Sequence, residues 1–378
     1  MAYWSFNFVF ALYAIILIII EKNSAEPDYI IYRSYFMLAG AVMLVYFPKI
    51  FFSVFLLIEA IIRGIALLLN RIFKSSEISV FKKIAALKIF SITGLVIFIL
   101  TFFIILQGML IGRTDFHTTH VVVPFKNLPK SFEGLKIAQI SDMHLGSFND
   151  SLDVRKGIEL LMNEKPDIIF FTGDLINNQA EEAEIMLPEL KRLHAPMGIY
   201  AILGNHDMSD YRRWKTIEEK TENISDLIKV EEKAGFVMLR NRNVILRKNK
   251  DSIALIGVDN WGKPPFRKYG NLPKAMKGVE NVAFKILLSH DPSHWDAEVE
   301  GKNNIDLTLS GHTHAMQLGI NCFGIFWSPV SWKYPHWAGL YKDGLQYLYV
   351  NRGFGYIGFP GRIGMTPEIT IIELTKAN

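Results

Sequence analysis

Ile89 to Ile111 runs for 23 residues without a charged side chain. A stretch of that length crosses the roughly 30 Å hydrocarbon core of a bilayer as a helix, because lipid offers the backbone no hydrogen-bond partner. The same condition recurs upstream. Trp4 to Ile20 is apolar and uncharged, Ile50 to Leu69 is apolar apart from Glu59 and Arg63, and Ile30 to Phe47 carries only Arg33. Arg33 is close enough to one end to snorkel, and Pro48-Lys49 reads as a turn. Residues 1–112 therefore read as a transmembrane region of about four helices, three being the alternative, and residues 113–378 as a soluble domain. Glu59 and Arg63 stand one helical turn apart on one face and read as a mutually neutralised pair. The competing reading, a functional ionisable site in the membrane, lacks the further charges that would line a transport path.

Arg71, Lys74, Lys82, Lys83 and Lys88 crowd the segment between the last two spans, whereas no basic residue precedes Lys22 after the initiator. By the positive-inside rule that segment is cytoplasmic, and the last span delivers the soluble domain to the extracytoplasmic side. An uncharged start and a long apolar run argue against a cleaved signal peptide. A net charge of +4 is too small to indicate a nucleic-acid partner. Cys322 is alone, so no intrachain disulfide forms.

Five segments of the soluble part share one chemistry: Asp142-Met143-His144, Gly173-Asp174, Gly204-Asn205-His206-Asp207, Ser289-His290 and Gly311-His312-Thr313-His314. Carboxylates, imidazoles and one amide oxygen, with no thiolate, suit hard or intermediate divalent cations; a structural zinc site would favour Cys. Nearly every segment follows an apolar run of strand length: Leu135 to Ile140, Ile168 to Phe171, Ile199 to Leu203, Phe284 to Leu288 and Ile305 to Leu309. Strands that end at one place are how a rigid scaffold positions loop ligands. Helix-like stretches, Asp153 to Glu164, Glu181 to Leu193 and Tyr211 to Lys233, alternate with the strands. After His314 the chain turns to short strands rich in aromatics and glycine, so an α/β fold of two packed sheets with helices outside is expected.

In type and order the five segments resemble the calcineurin-like metallophosphoesterases, specifically the bacterial membrane-anchored branch, and the likeness extends from about Leu128 to the C-terminus. The resemblance implies a first ion on Asp142, His144, Asp174 and His314, and a second on Asp174, Asn205, His290 and His312, with Asp174 bridging and His206 beside the scissile phosphate. It also implies a four-layer αββα sandwich, two divalent metal ions (manganese, with zinc or iron as alternatives) and a bacterial cytoplasmic membrane as the location. Elementary chemistry agrees: two ions roughly 3.5 to 4 Å apart acidify a water between them and clamp both oxygens of an in-line phosphoryl displacement. His206, directly after a ligand, can point at the substrate and protonate the leaving group.

Two departures from the family stand out. The branch usually continues its last motif with two glycines before Gln, where this chain has Ala315 and Met316 before Gln317. Related phosphatases place a second Asp three residues past the bridging one, pairing with the catalytic His; here it is Asn177, which would leave the His206 imidazolium less stabilised. Gly353 to Gly358 spells a dinucleotide fingerprint, but no helix and strand can follow in the few residues left, with Pro360 and Pro367 among them. Arg352 and Arg362 flank that loop and, as in relatives that end on an Arg-Gly segment near the site, are candidate phosphate contacts; a plain surface loop is the competing reading.

His117, His120, His194, His294 and His336 read as surface or satisfied core residues, and Asp167 and Asp259 as turn or cap residues. Asp207 reads equally as a partner of the ligands or as an N-cap of a following helix. Phe323, Phe326, Trp327, Trp332, Tyr334, Trp337 and Tyr341 read mostly as core of the second sheet, the alternative being an apolar lip for an acyl chain. The expected function is a membrane-anchored, metal-dependent phosphoesterase acting on a phosphomonoester, phosphodiester or pyrophosphate, with a lipid-linked substrate in view. The alternatives are a UDP-2,3-diacylglucosamine-type pyrophosphohydrolase, which needs a cytoplasmic site, and a membrane-bound sensor with a vestigial centre.

Overall fold

The computed structural model describes residues 11–16, 19, 28–72 and 88–377. The expected first span, Trp4 to Ile20, lies largely outside the described residues, as does the basic segment between Arg71 and Lys88. Among the described residues two long apolar helices precede the soluble domain, α1 (Asp28–Ile72) and α2 (Ile89–Leu110). Their stretches Ile30–Leu69 and Ile89–Thr114 are each long and apolar enough to cross a membrane. The turn expected at Pro48-Lys49 is not present, since α1 continues through Pro48. The physical reason is that a proline forfeits one helical hydrogen bond, whereas an irregular turn among apolar surroundings would strand several backbone groups.

The two helices pack antiparallel. A Cβ on Gly94 would lie 2.8 Å from Phe55, and one on Gly40 would lie 2.7 Å from Met109. Glu59 pairs with Arg63 and also accepts the Ser91 backbone N–H at 2.8 Å, so the pair serves structure by closing the first turn of α2.

The soluble domain holds two six-stranded sheets. The first runs β1 (His117–Phe125), β14 (Glu368–Lys376), β2 (Leu135–Ile140), β3 (Ile168–Phe171), β4 (Ile199–Ala201) and β5 (Phe236–Met238). The second runs β12 (Gly339–Asp343), β13 (Gln346–Val350), β9 (Leu307–Ser310), β8 (Lys285–Leu288), β7 (Asp251–Gly257) and β6 (Arg242–Lys248). Side chains alternate between the two faces of each strand. Leu135, Ile137, Ile168 and Phe170 meet Ile253, Leu255, Ile286 and Leu309 between the sheets. Ala138, Ile140, Ile169 and Phe171 point the other way, against Val154, Ile158 and Leu161 of α3 (Ser151–Asn163) and against α4 (Ala180–Leu190) and α5 (Ile217–Lys233). Leu272, Trp295 and Val299 cover Ala254, Ile256 and Leu287 on the far face of the second sheet. Burial on both faces makes these strands largely apolar, and the result is the four-layer αββα sandwich.

The soluble domain rests on the membrane helices through hydrogen bonds and close packing. Arg33 of α1 donates from Nε and Nη2 to the Gly146 carbonyl at 3.3 and 3.2 Å, so it is bound to protein where snorkelling was expected. The Arg362 backbone N–H donates to the Gly108 carbonyl of α2 at 3.1 Å, and beside it a Cβ on Gly108 would be only 2.6 Å from Ile363.

Candidate metal centre

The C-terminal ends of β2, β3 and β4 in one sheet and of β8 and β9 in the other converge, and the loops they feed carry every expected ligand. His144 Nε2 faces His314 Nε2 at 3.0 Å, and His314 Nε2 lies 3.2 Å from Asp142 Oδ1. Asp174 Oδ2 stands 3.8 Å from His144 Nε2 and 3.1 Å from His290 Nε2. His290 Nε2 is in turn 3.1 Å from Asn205 Oδ1 and 3.3 Å from His312 Nδ1. Ligand atoms of Asp142, His144 and His314, and those of Asp174, His290 and His312, form two groups each within 4.8 Å, with Asp174 at their junction. Imidazole nitrogens and carboxylate oxygens, nearly all buried, converge here, and so many lone pairs in one buried place are stabilised by positive charge among them. The donor set therefore fits two divalent ions.

A surrounding layer of hydrogen bonds fixes each ring. Thr172 O lies 2.8 Å from His290 Nδ1, and Asn177 Oδ1 lies 3.0 Å from His144 Nδ1, which leaves each Nε2 to face inward. Tyr334 OH lies 2.9 Å from His312 Nε2, so His312 turns Nδ1 inward instead. The Asn177 side chain thus serves His144 where the family pattern suggested His206. His206 Nδ1 instead meets the main-chain carbonyl of Asn177 at 2.8 Å, and its ring stacks on Tyr211 with centroids 4.3 Å apart. Replacing Asp by Asn at 177 does not remove that support, because the acceptor is backbone.

Asp207 resolves the two readings of its role. No helix begins until Ile217, so the N-cap reading falls. Its carboxylate accepts the backbone N–H groups of Asp174 at 2.6 Å, Leu175 at 2.8 Å, Ile176 at 3.3 Å and Gly204 at 2.9 Å. It thereby ties the Asp174 loop to the Asn205 loop. Burial and the neighbouring Asp174 push its carboxyl up to about 7, against the pull of those donors. Glu182 was not anticipated as a site residue. Its buried carboxylate accepts from Asn177 N at 2.6 Å and from Asn178 N and Gln179 N at 3.0 Å each, which sets the residue that orients both His144 and His206. The sequence signal was available as a capping box, Gln179 with Glu182 three residues on.

Close backbone approach explains two glycines. A Cβ on Gly204 would be 2.2 Å from Asp174 Oδ1, and one on Gly311 would be 2.2 Å from Asp142 Oδ2. Ala315 and Met316, where relatives usually carry glycine, are held at φ +46° and +56°, a left-handed conformation that costs a side chain roughly 1–2 kcal/mol. Met316 is exposed, so Met316→Gly should raise folding stability by about 1 kcal/mol, read as a higher denaturant midpoint with unchanged slope. An equal or lower midpoint would show the strain to be absent.

In the structure the two candidate phosphate contacts, Arg352 and Arg362, hold protein groups. Arg362 is almost fully buried, and its guanidinium donates to the carbonyls of Gly355, Met365, Arg352 and Gly353 and lies 3.3 Å from Nδ1 of the expected ligand His314. Arg352 pairs with Glu368 at 3.0 Å. Neither lines the cleft. The remaining histidines have ordinary partners: His294 lies between Ser289 and Glu298, His336 meets Asp296, and His117, His120 and His194 sit near Asp115, Glu164 and the Arg192 carbonyl. A cleft of about 300 Å³ opens over the centre, with Asp174, Asn205, His206, His312 and His314 on its floor and Phe266, Met316, Val330, Tyr334 and Ile357 on its walls.

Comparison with known proteins agrees with this geometry. Residues 135–316 match the family described as Calcineurin-like phosphoesterase, and residues 1–113 match Probable Calcineurin-like phosphoesterase, transmembrane domain. The chain is 32% identical over 267 residues to the uncharacterized metallophosphoesterase YkuE of Bacillus subtilis, covering 69% of this chain and 86% of that one. It is 29% identical to phosphodiesterase YaeI of Escherichia coli, covering 63% and 82% of the two chains. To the UDP-2,3-diacylglucosamine pyrophosphatase LpxG of Chlamydia trachomatis it is 28% identical, covering 61% and 81%. The chain belongs to the calcineurin-like metallophosphoesterases, a family whose fold implies divalent metal ions and a phosphoester substrate. Within that family it is a membrane protein carrying a transmembrane domain.

Proposed function

We propose that this chain is a membrane-anchored phosphoesterase in which Asp142, His144, Asp174 and His314 hold one divalent ion and Asp174, Asn205, His290 and His312 a second. Manganese is the proposed metal, with zinc or iron as alternatives. The observation that carries this reading is the placement of Asp174 Oδ2 between His290 Nε2 at 3.1 Å and His144 Nε2 at 3.8 Å, with a full donor set on either side. Bound ions supply Lewis acidity toward a phosphoryl oxygen and an acidified water. The chain's own residues do the rest. Asp207 and Glu182 hold the ligand loops, and Tyr211 and the Asn177 carbonyl hold His206 with its Nδ1 proton committed. Nε2 of His206 is then the atom that passes a proton to the leaving oxygen.

The proposed substrate is a phosphomonoester, phosphodiester or pyrophosphate carried on a lipid, supported by the apolar walls of the cleft and by the seating of the domain on α1 and α2. The purified, manganese-loaded protein should hydrolyse a component of a lipid extract, with loss on chelation and recovery on re-addition of metal. No hydrolysis by protein holding two equivalents of metal would favour the sensor reading, against which the complete donor set speaks. Asp174→Asn should impair occupancy of both ions, while Asn205→Ala mainly weakens the second. Elemental analysis decides, and two full equivalents retained in the Asp174 variant would contradict the assignment.

We place the catalytic domain on the extracytoplasmic side of a bacterial cytoplasmic membrane, on the strength of the basic residues Arg71 to Lys88. A reporter active only outside the cytoplasm, fused after Asn378, should be active. Activity of a cytoplasm-only reporter instead would raise the second reading, a UDP-2,3-diacylglucosamine-type pyrophosphohydrolase, which the likeness to LpxG supports.

A further inference from the structure

We propose that the segment from Ile320 to Trp332 is a second membrane contact, with its aromatic tip lying in the headgroup layer of the bilayer that holds α1 and α2. The segment contains an antiparallel hairpin, β10 (Ile320–Cys322) and β11 (Ile325–Trp327). All six of its strand residues are exposed. Phe323 at the turn is 100% exposed, Trp332 is 81% and Ile325 is 55%. From Leu318 to Trp332 the sequence has no charged residue, and Lys333 follows at once. A water-facing hairpin normally carries polar or charged side chains along its edges, and a contiguous exposed apolar patch marks a binding surface.

The hairpin's root joins it to the membrane region. Gly319 N donates to the Ile363 carbonyl at 2.9 Å, and Leu318 bridges Ile363. Ile363 is the residue that packs on Gly108, and Pro360, three residues before it, packs on Gly40. Gly108 lies within the apolar span of α2, ahead of exposed Leu110 and Ile111. The hairpin therefore departs from a loop already seated against the lipid-crossing part of the helices. It is also braced, since Phe326 stacks on the buried Trp337 at 4.8 Å and Trp327 meets Trp332 edge-on at 5.6 Å. Tryptophan beside an uncharged apolar tip, with a lysine next to it, is the composition of a bilayer interface. Met316 and Val330, on either side of the hairpin, line the cleft over the metal centre, so lipid at the tip would lie next to its mouth.

The contact rests on the membrane domain and not on the phosphoesterase reading, so its test needs no turnover. The native Cys322 is exposed and adjoins Phe323, which lets the full-length protein be labelled there with an environment-sensitive fluorophore and reconstituted into phosphatidylethanolamine–phosphatidylglycerol vesicles. A Cys322→Ser, Lys250→Cys variant, labelled at the β6–β7 turn, is the control. Emission from Cys322 should be blue-shifted, and quenched several-fold more strongly than the control by phospholipid spin-labelled near the headgroup. Phe323→Asp with Trp332→Asp should abolish both differences while elemental analysis finds the metal content unchanged. Quenching by aqueous iodide equal to that of the control would put the tip in water and overturn the proposal. Shielding from both quenchers, with Cys322 cross-linking between chains, would assign the surface to a second copy and overturn it as well.

Discussion

Asp207→Ala should give a protein that binds little metal and unfolds far more readily, although Asp207 is not among the ligands. Its carboxylate is the acceptor for four buried backbone N–H groups, those of Asp174, Leu175, Ile176 and Gly204. Leaving each unsatisfied costs about 1–3 kcal/mol, so a loss on the order of 4 kcal/mol or more is expected, a large share of a typical folding free energy of about 5–15 kcal/mol. Asp207→Asn should fare little better, because one oxygen becomes an NH2 that opposes two of the donors. Thermal denaturation and elemental analysis measure both effects. A variant that melts with the parent and keeps its metal would show that solvent or the loop itself replaces the carboxylate.

His206→Asn should keep its metals and lose about 10²- to 10⁴-fold in turnover of alkyl phosphoesters, the usual contribution of general acid catalysis. Loss on an activated nitrophenyl ester should be much smaller, since that leaving group departs without a proton. The Nδ1 side of the ring is satisfied by the Asn177 carbonyl, so the difference between the two substrates reports on Nε2. Equal losses on both, with metal retained, would mean that His206 stabilises charge or positions substrate and donates no proton.

Much of the centre was legible in sequence because the strands that carry it are buried on both faces. Ile168 to Phe171 is apolar at every position and Leu135 to Ile140 at all but Lys136 and Gln139, and both stop where the ligands begin, so the ends of the runs gave the loops away. Pairing between distant segments leaves no such trace. Nothing local in Glu368–Lys376 says that it inserts between β1 and β2, parallel to one and antiparallel to the other. The three residues of β5 are too few to show a period. The roles of Asn177, Asp207 and Arg362 were hidden for a related reason: each depends on which backbone groups a fold brings opposite a side chain. Composition gives the charge of Arg362 but not the carbonyls that surround it. Pro48 misled because its usual effect on a helix presumes that water is at hand to receive the freed groups.

Arg33 has a consequence for how the two halves of the chain relate. It belongs to a membrane helix, yet the carbonyl it holds is that of Gly146, two residues past His144, in a loop whose glycine admits no side chain because Glu182 Oε2 lies 2.2 Å from where a Cβ would be. The loop that follows Asp142 and His144 is thus held from both sides, with the anchor acting as one of its walls. A domain cut free at residue 113 would keep every ligand and lose that wall, leaving the Gly146 carbonyl without its partner and the Ile363 surface open to water. One arginine thus makes the end of a membrane helix and the loop beside His144 a single mechanical unit.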